Sequence, residues 1–211
     1  MKDRALLCAL AACLASSASA DVTIESNPAP LEWGIAGTGP VTQGEATLFP
    51  SIINVAGATG VVLDINVTIM EGQHTWSDDL EITLRSPSGT VVTLMQDAGG
   101  LDDIGGDLIF DDQAASPIDD NEIGALVAGS YQTSVYGTAD TTAPASNGSL
   151  LSLFNGENPN GNWELYVYDD AFSDTGSFAD GWEIRIETFI PAPASATLLG
   201  IGGLAAIRRR R

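Results

Sequence analysis

The strongest constraint on what this chain can fold into is the alternation of its apolar residues. Val61, Leu63, Ile65, Val67 and Ile69 are interleaved with Val62, Asp64, Asn66 and Thr68. Leu80, Ile82 and Leu84 alternate with Glu81, Thr83 and Arg85, and the same pattern runs through Trp163, Leu165 and Val167 and through Trp182, Ile184 and Ile186. A period of two is that of a β-strand, whose successive side chains point to opposite faces. Each run therefore predicts a strand with one buried face, and no helical period competes with it between Asp21 and Ile190. Ser86-Pro87-Ser88-Gly89 stands between Leu80–Arg85 and Val91–Leu94. Proline presets the backbone early in a turn and glycine accepts the exit, so Leu80–Leu94 predicts a hairpin. Leu108-Ile109-Phe110 predicts a short buried strand. Many short strands joined by Gly, Pro, Asn and Asp predict an all-β fold, a jelly-roll β-sandwich, over 48–190. Asp21–Gly44, with Pro28, Pro30 and Pro40, reads as irregular, so 21–47 is expected to be an N-terminal extension and first strand. Ala98–Asn147 reads as surface loops, with eight carboxylates between Asp102 and Glu122.

The two ends have different patterns. Met1–Ala20 has a charged start, an apolar run and the small residues Ala18-Ser19-Ala20, the layout of a secretory signal helix cleaved before Asp21. Leu10-Ala11-Ala12-Cys13 offers the alternative of a lipidated Cys13. Both cysteines, Cys8 and Cys13, lie in this segment, so simple cleavage leaves an exported chain without disulfides. The tail, 191–211, carries Pro191-Ala192-Pro193, a 14-residue apolar run from Ala194 to Ile207, expected to form a short helix, and then Arg208–Arg211. The run is shorter than the about 20 residues an independent span needs, and the arginines mark a cytoplasmic stop. This order resembles the PEP-CTERM sorting tail of exported bacterial proteins, with Ala192 where that family has glutamate. The resemblance implies transient anchoring, recognition by an exosortase-type sorting enzyme, and delivery to the cell surface or extracellular matrix.

The charge lies between those ends. Of eight basic residues only Arg85 and Arg185 fall between Asp21 and Ile190, against every one of the 28 acids except Asp3. Such a body repels nucleic acid and anionic membrane surfaces and attracts divalent cations. The alternative is that the acids serve solubility alone.

The motifs then fall in a recognisable order. His74-Thr75 follows an apolar strand, Asp79-Leu80 opens the next, and Ser86-Pro87-Ser88-Gly89-Thr90 closes it. Phe110-Asp111-Asp112 comes next, then Leu151, Phe154 and Gly156. The last block is Gly161, Trp163, Leu165, Val167 and Asp169, with Asp174, Gly176 and Trp182 after it. From about Leu48 to Thr188 this resembles the P domain, or P/Homo B domain, of subtilisin-like proprotein convertases and bacterial exoproteases. Thr138–Gly148 departs from the pattern where that family often has Arg-Pro. Trp163 and Trp182 read as anchors on buried faces, and Gly89 and Gly176 as turn glycines.

The resemblance implies a domain that accompanies a catalytic one. A serine-protease triad needs a histidine base, and the one histidine, His74, already has a place in the motif. No Gly-x-Ser-x-Gly elbow occurs, and one histidine with no mature cysteine argues against a zinc centre. The expectation is therefore no enzyme and no catalytic residue. The carboxylates suit calcium, which takes six to eight oxygen ligands. At the positions the resemblance gives them, Asp79, Asp112, Asp169 and Asp174 are expected to form a structural calcium site, with Asp78, Asp111 and Asp170 as further donors. The alternative is that these aspartates cap turns. Asp97, Asp102, Asp103 and Asp107, among Gly-Gly pairs, loosely resemble calcium-binding glycine-rich repeats. Trp33, Trp76, Tyr131 and Tyr136 are either sugar-stacking rings or packing. Two functions are compatible with these readings: a non-catalytic, calcium-stabilised module that binds a surface or matrix polysaccharide or protein, and an accessory P domain for a separately encoded subtilisin-like serine endopeptidase.

Overall fold

The computed structural model describes residues 19–33, 43–121 and 124–190. Most of the expected signal segment, with Cys8 and Cys13, and the whole of the expected sorting tail lie outside them. Ala20–Phe189 forms one compact unit. Its strands are β1 (Ser19–Asn27), β2 (Leu31–Trp33), β3 (Gly44–Glu45), β4 (Ser51–Val55), β5 (Val61–His74), β6 (Leu80–Arg85), β7 (Val91–Gln96), β8 (Ile104–Phe110), β9 (Leu126–Tyr131), β10 (Ser134–Val135), β11 (Gly161–Asp169), β12 (Gly176–Phe178) and β13 (Trp182–Ile190). They make two sheets, an all-β sandwich. One runs β1-β13-β5-β12-β2, with β8 pairing β5 and β9 pairing β8; the other runs β10-β7-β6-β11-β3, with β4 also on β11.

Alternation accounts for the core between the sheets. Ile65, Val67, Ile69, Leu80, Ile82, Leu84, Leu165, Val167, Ile184 and Ile186 are all buried. Trp163 and Trp182 are fully buried and each indole N–H is satisfied, Trp163 donating to the Pro159 carbonyl at 2.9 Å and Trp182 to Ser51 Oγ at 2.9 Å. Phe154 meets Trp163 edge-on, with ring centres 5.1 Å apart. Burying an indole removes on the order of 200 Å² from water, worth roughly 5 kcal/mol before the entropy of ordering is subtracted. The β6–β7 hairpin closes as its turn chemistry predicts. Ser86 N–H donates to Thr90 O at 2.9 Å, Gly89 N–H donates to Ser86 O at 3.0 Å, and Gly89 has φ +94°.

Several features depart from the sequence reading, among them that Ala98–Asn147 is not loop alone but holds β9 and β10. In β5 the pairing with β13 slips at Glu187/Thr188. Val62 therefore turns inward while Leu63 is 47% exposed, against the strict alternation expected of Val61 and Leu63. A second slip occurs in the β5–β8 pairing between Ile69 and Gly72, where Glu71 takes φ +47°. A bulge inserts a residue and re-aims the side chains beyond it; here it brings His74 onto the core side of the strand that buries Ile69. Asp21–Gly44 is not irregular throughout, because β1 and β2 pair within the first sheet. Pro28 and Pro30 fall in the short connection between those strands and interrupt neither. Finally, the polar face of β6 is not solvated. Glu81 and Thr83 are 2% and 3% exposed, because the Thr138–Gly148 segment lies over them. Thr93 N–H donates to Gly148 O, Val91 N–H to Asn147 Oδ1, and Asp140 N–H to Glu81 Oε1 at 2.7 Å.

Candidate functional site: the acidic end of the sandwich

Register brings several strand termini to one end of the molecule. Gly176 pairs with His74, Asp169 with Leu80 and Tyr168 with Glu81, and β7 ends beside the start of β6 with Met95 opposite Ile82. The chain leaving β5 makes a 3₁₀ turn, Ser77–Asp79, pinned by bonds from Ser77 N–H to Asp102 O and from Asp78 N–H to Gly100 O. This end therefore collects acids from the β5–β6 turn, from β6 itself and from just beyond β7 and β11.

The acids fall into two groups. The first surrounds His74, whose side chain is wholly buried. Its Nδ1 lies 2.7 Å from the Trp76 carbonyl oxygen and accepts the Trp76 N–H at 3.1 Å, and its Nε2 lies 3.3 Å from Asp169 Oδ2. Trp33 meets the ring edge-on. Gly176 sits against its other side within β12. A Cβ there would run into His74 Cδ2 and stand 2.6 Å from the Gln73 carbonyl oxygen. Gly176 is thus a close-approach glycine in a strand, not the turn glycine expected from the sequence. Asp169 Oδ1 accepts the Ala171 N–H, and Asp174 Oδ1 accepts the Thr75 hydroxyl at 2.8 Å. Asp79 completes this group. Burial, with the charges of Asp169, Asp174 and Asp78 opposed by His74, pushes its carboxyl up to about 6.

The second group is Glu81, Asp97 and Asp170. One carboxylate oxygen from each lies within 4.8 Å of the others. Burial raises all three, and the neighbouring charges of Asp97, Asp79, Glu81 and Asp140 help push Asp170 to about 7. The two groups touch through the backbone, where Asp170 N–H donates to Asp79 O at 2.9 Å.

The structure thus brings Asp79, Asp169 and Asp174 around His74 and turns Asp170 toward Glu81 and Asp97. Asp78 is half-buried nearby, its carboxyl raised by burial and by the charges of Asp97 and Asp120. Asp112 and Asp111 do not join them. Strand β8 pairs Ile104 with His74 and Phe110 with Val67, which carries Asp111 and Asp112 on the order of 20 Å along the sheet. There Asp112 accepts the Leu151 and Ser152 N–H groups and so caps the 3₁₀ turn Leu151–Phe154. Asp111 accepts the Gln113 N–H. Asp97, Asp102, Asp103 and Asp107 are dispersed as well: Asp102 accepts Gly124 N–H and Asp107 accepts Glu71 N–H. Trp33 is buried, and Tyr131 and Tyr136 pack against the core. A cleft of about 550 Å³ opens at this end, with His74 in its wall beside Glu32, Trp33, Gln73, Thr75 and Thr175. Sequence reasoning missed Glu81. Its signal was a carboxylate placed mid-strand with no lysine or arginine nearby in sequence except Arg85.

The fold is a two-sheet β-sandwich whose motif histidine is buried at one end beside a cleft. The proprotein convertase P-domain family matches residues 63–186, more than half of the chain, and the chain belongs to that family. The P domain is an accessory, non-catalytic domain. Similar solved structures include a serine protease of Aeromonas sobria in complex with the chaperone ORF2, at 15% identity and TM-score 0.40, with 83% of this chain covered. The same organism's serine protease in a second crystal structure gives 15% identity, 82% coverage and TM-score 0.37. This chain spans 28% of the length of each of those chains. A comparison with curated proteins gives no match.

Proposed function

We propose that this chain is a non-catalytic, calcium-stabilised binding or structural module, exported to the cell surface or extracellular matrix, where it recognises a polysaccharide or a protein. The observation that carries the non-catalytic part is the state of His74. A general base must reach its substrate's proton, and this imidazole is wholly buried, with both nitrogens meeting groups of the same chain. The cleft beside it supplies a polar wall for a ligand, with Gln73, Thr75 and Thr175 along it. Export and sorting rest on the two terminal segments. The test is a glycan array and a matrix pull-down with the full chain, with and without calcium. Specific retention that falls in Gln73→Ala or Thr175→Ala supports recognition at this cleft. Retention indifferent to both variants, or none, removes the proposal. Mass spectrometry of the surface form tests the sorting tail; an intact Arg208–Arg211 terminus there argues against a sorting enzyme.

Family membership favours a second reading, in which the domain supports a subtilisin-like serine endopeptidase encoded separately. Capture of such a protease by the full chain, and a longer protease half-life in its presence, would establish this reading over the first.

A further inference from the structure

Glu81 is the anomaly of this molecule. It is 2% exposed on the covered face of β6. One oxygen, Oε1, accepts the Asp140 N–H at 2.7 Å. The other, Oε2, is buried and makes no hydrogen bond of good geometry among the described residues, the Thr141 backbone N–H being the nearest further donor to this carboxyl. A buried carboxylate oxygen left unpaired is destabilising unless a charge or donor meets it. Beside Glu81 stand two more carboxylates, from Asp97 and Asp170, with one oxygen of each of the three within 4.8 Å of the others, and Asp97 also takes hydrogen bonds from the Gln96 side chain, the Thr138 backbone and the Asp170 carboxyl. Among the described residues no cation of the chain reaches them. Arg85 is paired with Glu164 at 3.0 Å and Arg185 with Glu187 at 2.7 Å, and these are the only basic residues between Asp21 and Ile190.

The backbone holds these acids together rather than letting them separate. Asp97 comes directly after β7 in the left-handed region, φ +46°, and its carboxylate lies over Gly137, at φ +55°, where any Cβ would overlap Asp97 Oδ2. Asp170 is fixed from the other side by its N–H on Asp79 O. Three adjacent strands, β7, β6 and β11, therefore each deliver one acid to one point, and the Thr138–Gly148 segment closes over it.

We infer that Glu81, Asp97 and Asp170 form a binding site for a hard divalent cation, calcium, which joins the ends of β6, β7 and β11. The donors are all oxygen, which excludes the softer metals that need nitrogen or sulfur. Three carboxylates on rigid strand ends suit calcium better than magnesium, which keeps most of its waters and takes one or two carboxylates. Asp97 and Asp170 are only half-buried, which leaves an open side for water ligands and for entry. The raised carboxyls of the cation-free protein agree with this arrangement. The site differs from the expected set, sharing Asp170 alone with it. It deepens the calcium part of the proposed function and is independent of the recognition part.

The test is isothermal titration of calcium, and separately of magnesium, into chelator-stripped full-length protein. Wild type is expected to bind one calcium tightly and magnesium at least tenfold more weakly. Glu81→Gln and Asp170→Asn, near-isosteric and checked for fold by circular dichroism, are expected to weaken calcium at least tenfold. Asp112→Asn and Asp174→Asn are expected to bind as wild type does. If Asp174→Asn abolishes binding while Glu81→Gln does not, calcium stabilisation survives and this site is wrong. If wild type binds no calcium, both fail, and the three acids are a carboxyl–carboxylate cluster sharing protons. Should Glu81→Gln not fold, Asp170→Asn and Gly137→Ala carry the same decision, since both leave Glu81 in place.

Discussion

The two acidic groups at the end of the sandwich use the same residue types, yet they are built in opposite ways. Around His74 the two aspartates Asp169 and Asp174 each have a protein donor: the imidazole and a backbone amide for Asp169, the Thr75 hydroxyl for Asp174. Around Glu81 the acids face one another, and a buried oxygen is left over. In the first arrangement these two aspartates are satisfied by the chain itself, and Asp79 alone is left facing like charges. The second leaves Glu81 Oε2 without a well-formed hydrogen bond among the described residues. Counting donors against acceptors, rather than counting acids, separates a turn cap from a site.

Removing His74 should have the largest effect. His74→Ala takes the partner from buried Asp169 and opens a cavity beneath Trp33, and should cost about 3–5 kcal/mol in urea unfolding. A loss under 1 kcal/mol would show that the histidine is not the group's keystone. Gly176→Ala attacks the same group by overpacking the His74 ring and should cost about 1–3 kcal/mol. The second group should respond with the opposite sign. In calcium-free buffer Glu81→Gln removes a buried charge and supplies an N–H₂ that can donate to Asp97 or Asp170, so unfolding should become harder by about 1 kcal/mol. A clear destabilisation there would mean that Glu81 Oε2 is satisfied after all.

Protonation sharpens the contrast further. Asp79, facing Asp169, Asp174, Asp78 and His74, and Asp170, facing Asp97, Asp79, Glu81 and Asp140, are raised to about 6 and about 7. Groups raised in the folded state bind more protons folded than unfolded, so stability falls as pH rises from the unfolded value of 3.8 through 6 to 7. Melting in chelator should accordingly be highest near pH 4–5 within that window and decline toward pH 7, and Asp170→Asn should flatten the upper part of the decline. A melting temperature that climbs between pH 5 and 7 would contradict the arrangement. The smallest effect belongs to Asp112→Asn, which weakens the cap on Leu151 and Ser152 by about 0.5–1 kcal/mol.

Much of the fold was legible because period-two runs and turn chemistry are local signals. The β6–β7 hairpin, the buried rows of β11 and β13 and the two tryptophan anchors are set by residues a few positions apart. What was not legible was non-local. The slips that bury Val62 and His74 arise only when β5 meets β13 and β8. Strand β9 was missed because Ala128, Gly129 and Ser130 carry no apolar alternation, and it forms by pairing in parallel with β8. The same limit governs the site. The family order placed Asp79, Asp169 and Asp174 near one another, but Asp112 stands at the end of a strand that runs away from them. Glu81 has the local pattern of a solvated strand residue, and only the fold brings Thr138–Gly148, the segment where the chain departs from its family's pattern, over it.

The most direct test of the contrast is a thermal melt of wild type and Glu81→Gln at pH 7, each in excess calcium and in excess chelator. A site that binds the folded state alone stabilises it by about 2.7 kcal/mol at a hundredfold excess over the dissociation constant, several degrees for a domain of this size. The account predicts that wild type melts several degrees higher in calcium than in chelator, and that the calcium shift of Glu81→Gln is at most about half as large. Equal melting temperatures for wild type, or a calcium shift as large in Glu81→Gln as in wild type, would contradict it.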